Sequence, residues 1–263
     1  MTERVNFSAN AKVYDRRHGP MLSADELDRL WLASRLQLGV ELLDIGAGTG
    51  RVAIPFAARG CDVVALEPAV AMVKELRIKA GATKLSVVVG EGAQLPFSAD
   101  RFDAVVIARL LYLTADWREI LREARRVLAA GGCLLHEWGN GESDEPWVQI
   151  REQARTLFEQ AGVSLPFHPG VRSEAEVHEH LEVHGFVHDT DLSMGPGPSL
   201  ALGEFLRRLV DGELSYIWSV PEAVRAECLP PLKRWSEQTF DLESPVCMPR
   251  ELRWSLYRKD RLR

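Results

Sequence analysis

The stretch that most constrains the fold is Val40-Glu41-Leu42-Leu43-Asp44-Ile45 followed at once by Gly46-Ala47-Gly48-Thr49-Gly50. The first six residues read as a short buried strand. The glycines permit a tight turn with positive φ and let backbone come close to a ligand. A helix is expected from about Thr49 to Arg59, closed by Gly60. The alternation then repeats. Cys61 to Glu67 reads as a strand, Ala69 to Ala80 as a helix, and Lys84 to Val89 and Phe102 to Ala108 as strands. Asp116 to Ala129 reads as a helix and Cys133 to Trp138 as a strand. Apolar strand runs such as Val-Val-Ala-Leu and Ala-Val-Val-Ile predict an α/β fold, doubly wound, with a mostly parallel sheet and helices on both faces. Ligands of such sheets bind outside the carboxyl ends of the strands.

The flanking segments are less regular. Ser23-Ala24-Asp25-Glu26 fits a capping box, and Leu27, Leu30, Trp31 and Leu38 predict a helix reaching about Leu38. After Trp138, Glu145 to Ala161 reads as a helix. A second capping box, Ser173 to Glu176, opens a helix to about His184, and Gly185 to Leu192 reads as a strand. Gly195-Pro196-Gly197-Pro198 breaks the pattern. Leu200 to Phe240 reads as helices interrupted at Pro221 and at Pro230-Pro231, and Glu251 to Arg258 as the last strand. The expectation is one domain over 1–263. Within it, 1–38 form an N-terminal lid and helix, and 39–138 a cofactor-binding core. Variable helices and a sixth strand occupy 139–194. A helical cap insertion over 195–249 precedes the last strand in 250–263.

Composition narrows the function. Of 263 residues, 46% are hydrophobic and 27% charged, as in an ordinary globular chain. With 32 basic and 38 acidic residues the formal charge is −6, which lacks the basic footprint of a nucleic-acid binder. No apolar run approaches the roughly 20 residues that span a membrane, and Met1 to Asn10 has no signal-peptide core. Cys61, Cys133, Cys228 and Cys247 are scattered without a CxxC pair, so neither zinc nor a disulfide framework is expected. A cytoplasmic protein with a small-molecule substrate, no nucleic-acid or membrane partner and an unassigned oligomeric state is the reading. His180 and His184 share one helix face, but no H-E-x-x-H follows, and a solvated face explains them without a metal.

The glycine turn selects a ligand class. A dinucleotide fingerprint is G-x-G-x-x-G, but its third glycine position here holds Arg51. Glu67 closes the second strand, where a carboxylate can accept from ribose hydroxyls. Asp44, just before the loop, suits an ammonium better than a pyrophosphate. A ligand that joins adenosine to an amino-acid tail is S-adenosylmethionine.

Leu43-Asp44-Ile45-Gly46-Ala47-Gly48-Thr49-Gly50 resembles motif I of the class I S-adenosylmethionine-dependent methyltransferases. Gly90-Glu91-Gly92-Ala93-Gln94-Leu95-Pro96-Phe97 is similar to their G-D-A-x-x-L-P-F motif. Phe102-Asp103-Ala104-Val105-Val106 resembles their fourth-strand motif, and Arg126-Val127-Leu128-Ala129-Ala130-Gly131-Gly132 their R-V-L-K-P-G-G. The type 11 group of small-molecule methyltransferases matches best. The resemblance implies a Rossmann-like sheet, with Asp44, Gly46, Ala47, Gly48 and Gly50 holding the methionine end of the cofactor and Glu67 the ribose. Pro68 and Met72 would flank the adenine, Glu91 would accept from its amino group, Gly92 would offer a backbone N–H to the ring, and Ala93 would also belong to the cofactor site. Ala108 and Arg109 would lie near the transferred methyl, and Tyr14 would belong to a lid. S-adenosylhomocysteine would be the product.

There are departures. Glu91 is one methylene longer than the usual Asp, and Tyr112-Leu113 stands where many relatives have His-His. His136 is a candidate base or, on the blander reading, a core histidine. Trp138 is a candidate substrate wall or a packing residue. Arg109 would bind an acidic substrate or serve in an ion pair, and Tyr112 would donate to the acceptor or pack. Trp147, Phe158, Phe205, Trp218 and Trp235 are read mostly as core. The rival functions are a nicotinamide-dependent oxidoreductase and a non-catalytic S-adenosylmethionine-binding protein.

Overall fold

The computed structural model describes residue 11 and residues 21–138, 145–163, 170–196, 199–214, 217, 220–247 and 252–260. The chain divides into two compact units. The described part of one comprises 11, 21–138, 170–194 and 252–260, and that of the other 145–163, 195–196, 199–214, 217 and 220–247.

The first unit is built on a seven-stranded sheet. Its elements are α1 (Ala24–Ser34), β1 (Glu41–Ile45), α2 (Ala53–Arg59), β2 (Asp62–Leu66), α3 (Val70–Ala80) and β3 (Ser86–Val88). They continue with β4 (Phe102–Ala108), a 3-10 turn (Leu111–Leu113), α4 (Trp117–Val127), β5 (Leu128–Trp138), α6 (Glu174–Val183), β6 (Phe186–Ser193) and β9 (Arg253–Lys259). The strand order is β3-β2-β1-β4-β5-β9-β6. Strands β1 to β5 pair in parallel, and β9 runs antiparallel between β5 and β6. This is the doubly wound α/β sheet expected from the sequence.

The continuous apolar strands follow from burial on both faces. Successive strand residues point to opposite sides. Leu43 and Ile45 therefore join Val64, Val105 and Leu134 under α4 residues Trp117, Ile120 and Leu121. Leu42 joins Val63, Ala65, Val106 and Leu135 with Leu27, Leu30 and Phe56 on the other face. Trp117, Ile120, Leu121, Ala124 and Val127 lie three or four apart along α4 and form its buried stripe.

Several boundaries differ from the sequence reading. The Ser23 capping box forms, with Ser23 N donating to Glu26 Oε2 at 2.7 Å and Glu26 N to Ser23 Oγ at 3.2 Å. But α1 stops at Ser34, because Arg35 takes a left-handed cap at φ 57°. Leu38 therefore lies beyond the helix, 75% exposed. The helix after the glycine loop starts at Ala53 rather than Thr49, since the loop continues through two further turn residues. β5 starts at Leu128, where it pairs with Phe102, and resumes regular pairing at Cys133 after an irregularity.

The second unit contains α5 (Pro146–Gln160), β7 (Ser199–Ala201), α7 (Leu202–Val210), α8 (Glu222–Thr239) and β8 (Pro245–Cys247). Trp147, Ile150, Phe158, Phe205, Leu209, Leu229 and Leu232 form its core. Trp147 and Phe205 meet edge to face, with ring centroids 6.0 Å apart. Trp235 packs on this cluster, and Trp218 lies outside the described residues. Pro230-Pro231 does not interrupt the helix, contrary to expectation, and α8 runs through both. Buried Cys228, Leu229 and Leu232 anchor it there. That burial offsets the backbone hydrogen bonds two prolines remove. The short antiparallel β7–β8 ribbon has no counterpart in the sequence reading.

Candidate active site

The carboxyl ends of β1, β2, β4 and β5 bring most of the expected site residues together. At the end of β1, Asp44 is 1% exposed and its Oδ2 has no hydrogen-bond partner. The Ala53 N–H donates to this carboxyl group. Burial pushes its pKa up to about 7, a rise opposed by the Ala53 hydrogen bond and by Arg51 and reinforced by the charge of Glu67. A buried carboxylate oxygen without a partner is costly. It is the group a ligand cation would satisfy.

The loop that follows needs its glycines. Gly46, Gly48 and Gly50 have φ of 75°, 55° and 90°. A Cβ on Gly46 would come within 2.9 Å of Leu110, and one on Gly50 within 2.7 Å of Ile54. The turn is tied to β2, with Gly46 N and Ala47 N both donating to the Leu66 carbonyl, at 2.8 and 3.0 Å.

Glu67, 7% exposed, shapes the same loop from β2. Its Oε2 accepts from Gly48 N and its Oε1 from Ala69 N, each at 2.9 Å. Burial raises its pKa, and the two backbone N–H groups oppose the rise. Each carboxylate oxygen still has acceptor capacity for a ribose hydroxyl. Pro68 is exposed at the start of the next turn, and Met72 on α3 is buried. Gly92 sits against β1, where a Cβ would lie 2.8 Å from Ile45. Glu91 beside it is exposed and Ala93 half-buried.

On the acceptor side, Ala108 ends β4 and is half-buried. Arg109 follows with φ 52°, which is uncommon for a side chain of this size. The Arg109 N–H donates to the Glu137 carbonyl at 3.1 Å, and its Nε donates to Glu137 Oε1 at 3.1 Å. Glu137 Oε2 also accepts from Arg51 Nη2. Of the two readings of Arg109, the structure shows the ion pair. Glu137 is 1% exposed. It was not a sequence candidate, yet a Glu inside an apolar strand ending is a signal, because buried acids are seldom unpaired. In the sequence Arg51 stands out only as the residue that breaks the dinucleotide pattern.

His136 and Trp138 share the other face of β5, with ring centroids 5.8 Å apart. His136 is 3% exposed, and burial lowers its pKa to about 4. It is neutral at pH 7 and a weak proton acceptor. Trp138 belongs to the core cluster of α4 and α6 residues. Tyr112 is half-buried in the 3-10 turn, which Gly170 N and Val171 N fasten by donating to the Tyr112 and Leu111 carbonyls at 3.2 Å each. Tyr14 lies outside the described residues. His180 and His184 stack with centroids 4.1 Å apart. Among the described residues no three His, Cys, Asp or Glu side chains are grouped to hold a metal ion.

A domain family described as a methyltransferase domain matches residues 43–136, from the end of β1 to His136 on β5. The match holds Asp44, the glycine loop, Arg51, Glu67 and Arg109. Glu137 falls one residue beyond it. An uncharacterized methyltransferase of Mycobacterium tuberculosis is 30% identical over 145 residues, 55% of this chain and 56% of the relative. The chain thus spans about half the length of the curated relatives it matches. The methyltransferase fold extends further. The crystal structure of a putative methyltransferase from Bacillus halodurans covers 90% of this chain and 100% of its own, with a TM-score of 0.64 at 20% identity. Phosphoethanolamine N-methyltransferase 2 of Haemonchus contortus, in complex with S-adenosyl-L-methionine, gives 0.57 at 15% identity, over 96% of this chain and 57% of that one. No helix among the described residues is long and apolar enough to cross a membrane.

Proposed function

We propose that this chain is an S-adenosylmethionine-dependent methyltransferase acting on a small-molecule acceptor. One observation carries the reading: a buried Asp44 oxygen without a partner, at the mouth of a glycine loop bordered by Glu67. An ammonium, a close backbone and a ribose acceptor are the requirements of an adenosyl amino acid. The cofactor, when bound, supplies an activated methyl on a sulfonium.

The residues divide the work. Asp44 and the loop Gly46 to Gly50 would hold the amino-acid end, Glu67 the ribose, and Pro68, Met72, Glu91, Gly92 and Ala93 the adenine. Ala108, Arg109, Tyr112 and Trp138 would stand on the acceptor side. Rate enhancement would come from holding the reactants in line, which supplies effective molarities of about 10⁵ M or more in good cases. His136, with its pKa near 4, suits the role of a neutral wall better than that of a general base at pH 7. The −6 charge and the absence of an N-P-P-Y-like motif after β4, where Ala108-Arg109-Leu110-Leu111 stands, favour a small acceptor over nucleic acid. Calorimetric titration with S-adenosylhomocysteine tests the reading. Saturable binding with one site is expected, and no heat of binding would sink it. The nicotinamide reading has its third glycine position filled by Arg51, mostly buried against Glu137.

A further inference from the structure

Glu137 spends its two carboxylate oxygens on residues that arrive from different strand ends. Its Oε2 accepts from Arg51 Nη2, at the close of the glycine loop, and its Oε1 lies 3.1 Å from Arg109 Nε, just beyond β4. The Glu137 backbone carbonyl also accepts from the Arg109 N–H, at 3.1 Å. Arg109 is held there at a φ of 52°, a conformation that a residue with a side chain seldom adopts.

The bridging carboxylate has little freedom. Its side chain is 1% exposed, and its neighbour across the β5–β9 pairing is Trp254, which is fully buried. Water is poorly placed to replace a partner that leaves, and a buried carboxylate that loses a partner is costly. A carboxylate is also planar, so a rotation that follows Arg51 swings the other oxygen away from Arg109. The positions of the two arginines are thereby linked.

Each arginine belongs to a segment with its own role. Arg51 directly follows Gly50 in the loop assigned to the cofactor. Arg109 opens the segment that runs into the 3-10 turn with Tyr112, where Leu113 N donates to the Leu110 carbonyl at 2.9 Å. Loop and turn also meet directly, since a Cβ on Gly46 would come within 2.9 Å of Leu110. That contact is van der Waals packing, whereas the Glu137 bridge is directional.

We infer that Glu137 is a positioning residue for methyl transfer, passing the order that a bound cofactor brings to the glycine loop on to the 109–113 segment. The inference rests on the methyltransferase reading. Glu137 acts through its two arginines and needs no contact of its own with cofactor or acceptor. Arg109 receives the effect, because its backbone sets the direction in which the turn leaves β4.

Hydrogen–deuterium exchange read by mass spectrometry tests this, with and without saturating S-adenosylhomocysteine, on the wild-type chain, Glu137→Gln and Arg109→Lys. Gln keeps the shape of Glu137 and removes the charge that both arginines share. Lys keeps the charge of Arg109 and removes its Nε–H. Calorimetry establishes saturation, and thermal melting establishes folding. In the wild-type chain the ligand should slow exchange in 46–51 and, by at least about fivefold, in 109–113, the lower end of ordinary coupling between sites. In both variants the protection of 46–51 should persist, while that of 109–113 should fall below about twofold. A folded variant that keeps the full ligand-dependent protection of 109–113 overturns the inference. Equal loss of protection in the two segments assigns Glu137 a merely structural role and overturns it too, as does a wild-type chain protected only in 46–51. In each of these cases the methyltransferase reading stands. Either folded variant decides if the other does not fold. A wild-type chain that does not bind S-adenosylhomocysteine overturns both.

Discussion

Arg109 and Glu137 are joined twice, Nε to Oε1 at 3.1 Å and Arg109 N to the Glu137 carbonyl at 3.1 Å. The double tie fixes the residue after β4 to the end of β5 and holds Arg109 at a positive φ. Glu137→Ala would remove an anion that Arg51 and Arg109 share. Breaking a buried pair from one side costs about 3–5 kcal/mol. Urea unfolding should show a loss of that order. A loss under about 1 kcal/mol would mean that the cluster is solvated.

Asp44 links stability to pH. Its ordinary pKa of 3.8 is raised to about 7 in the folded chain, chiefly by burial. The folded state therefore holds this proton more tightly than the unfolded state. The associated stability is fully present below about pH 4 and is lost as the pH rises to about 7. Asp44→Asn removes that loss. At pH 8 the ligand-free variant should be the more stable, by up to about 4 kcal/mol at roughly 1.4 kcal/mol per pKa unit. Identical stability–pH curves for the two proteins would contradict this.

The same carboxyl sets the pH dependence of binding. A cofactor ammonium needs Asp44 ionised, so below pH 7 binding must displace a proton. Affinity for S-adenosylhomocysteine should fall with decreasing pH, approaching tenfold per unit, and proton release should show in calorimetry as a buffer-dependent heat. A flat profile from pH 5 to 8 would argue that Asp44 does not face the ammonium.

Gly170 controls the segment that carries Tyr112. A Cβ there would overlap the Leu111 carbonyl oxygen and lie 2.7 Å from that of Thr114. Gly170→Ala should displace the 3-10 turn and cost about 1–3 kcal/mol, as overpacking does. Methyl transfer should fall while S-adenosylhomocysteine binding stays close to wild type. Unchanged melting would show that the 3-10 turn yields freely.

The sheet was legible because its evidence is local. Apolar strands, Gly46, Gly48 and Gly50, and Glu67 all lie in one continuous run whose spacing states the order of elements. Boundaries were less so. Arg35 ends α1 in a left-handed conformation, its N–H donating to the Leu32 carbonyl, and Leu38 keeps a helical spacing with no helix beneath it. Pro230 and Pro231 read as a break, yet the packing of Leu229 and Leu232 in the second unit's core carries the helix through. Glu137 is not legible in the sequence because its partners Arg51 and Arg109 are distant along the chain and meet it only when β1, β4 and β5 align. Arg51 is visible in the sequence only as a mismatch to the dinucleotide pattern, because its ion pair with Glu137 forms across the sheet.

The most direct test of the central claim is calorimetric titration of S-adenosylhomocysteine into the wild-type chain and Asp44→Ala at pH 8. The wild-type chain should bind one equivalent, and Asp44→Ala should bind at least 30-fold more weakly, the effect of losing one buried charged contact. Absence of binding to the wild-type chain, or equal affinity in a folded Asp44→Ala, would contradict the assignment of this glycine loop and its buried carboxylate to the cofactor.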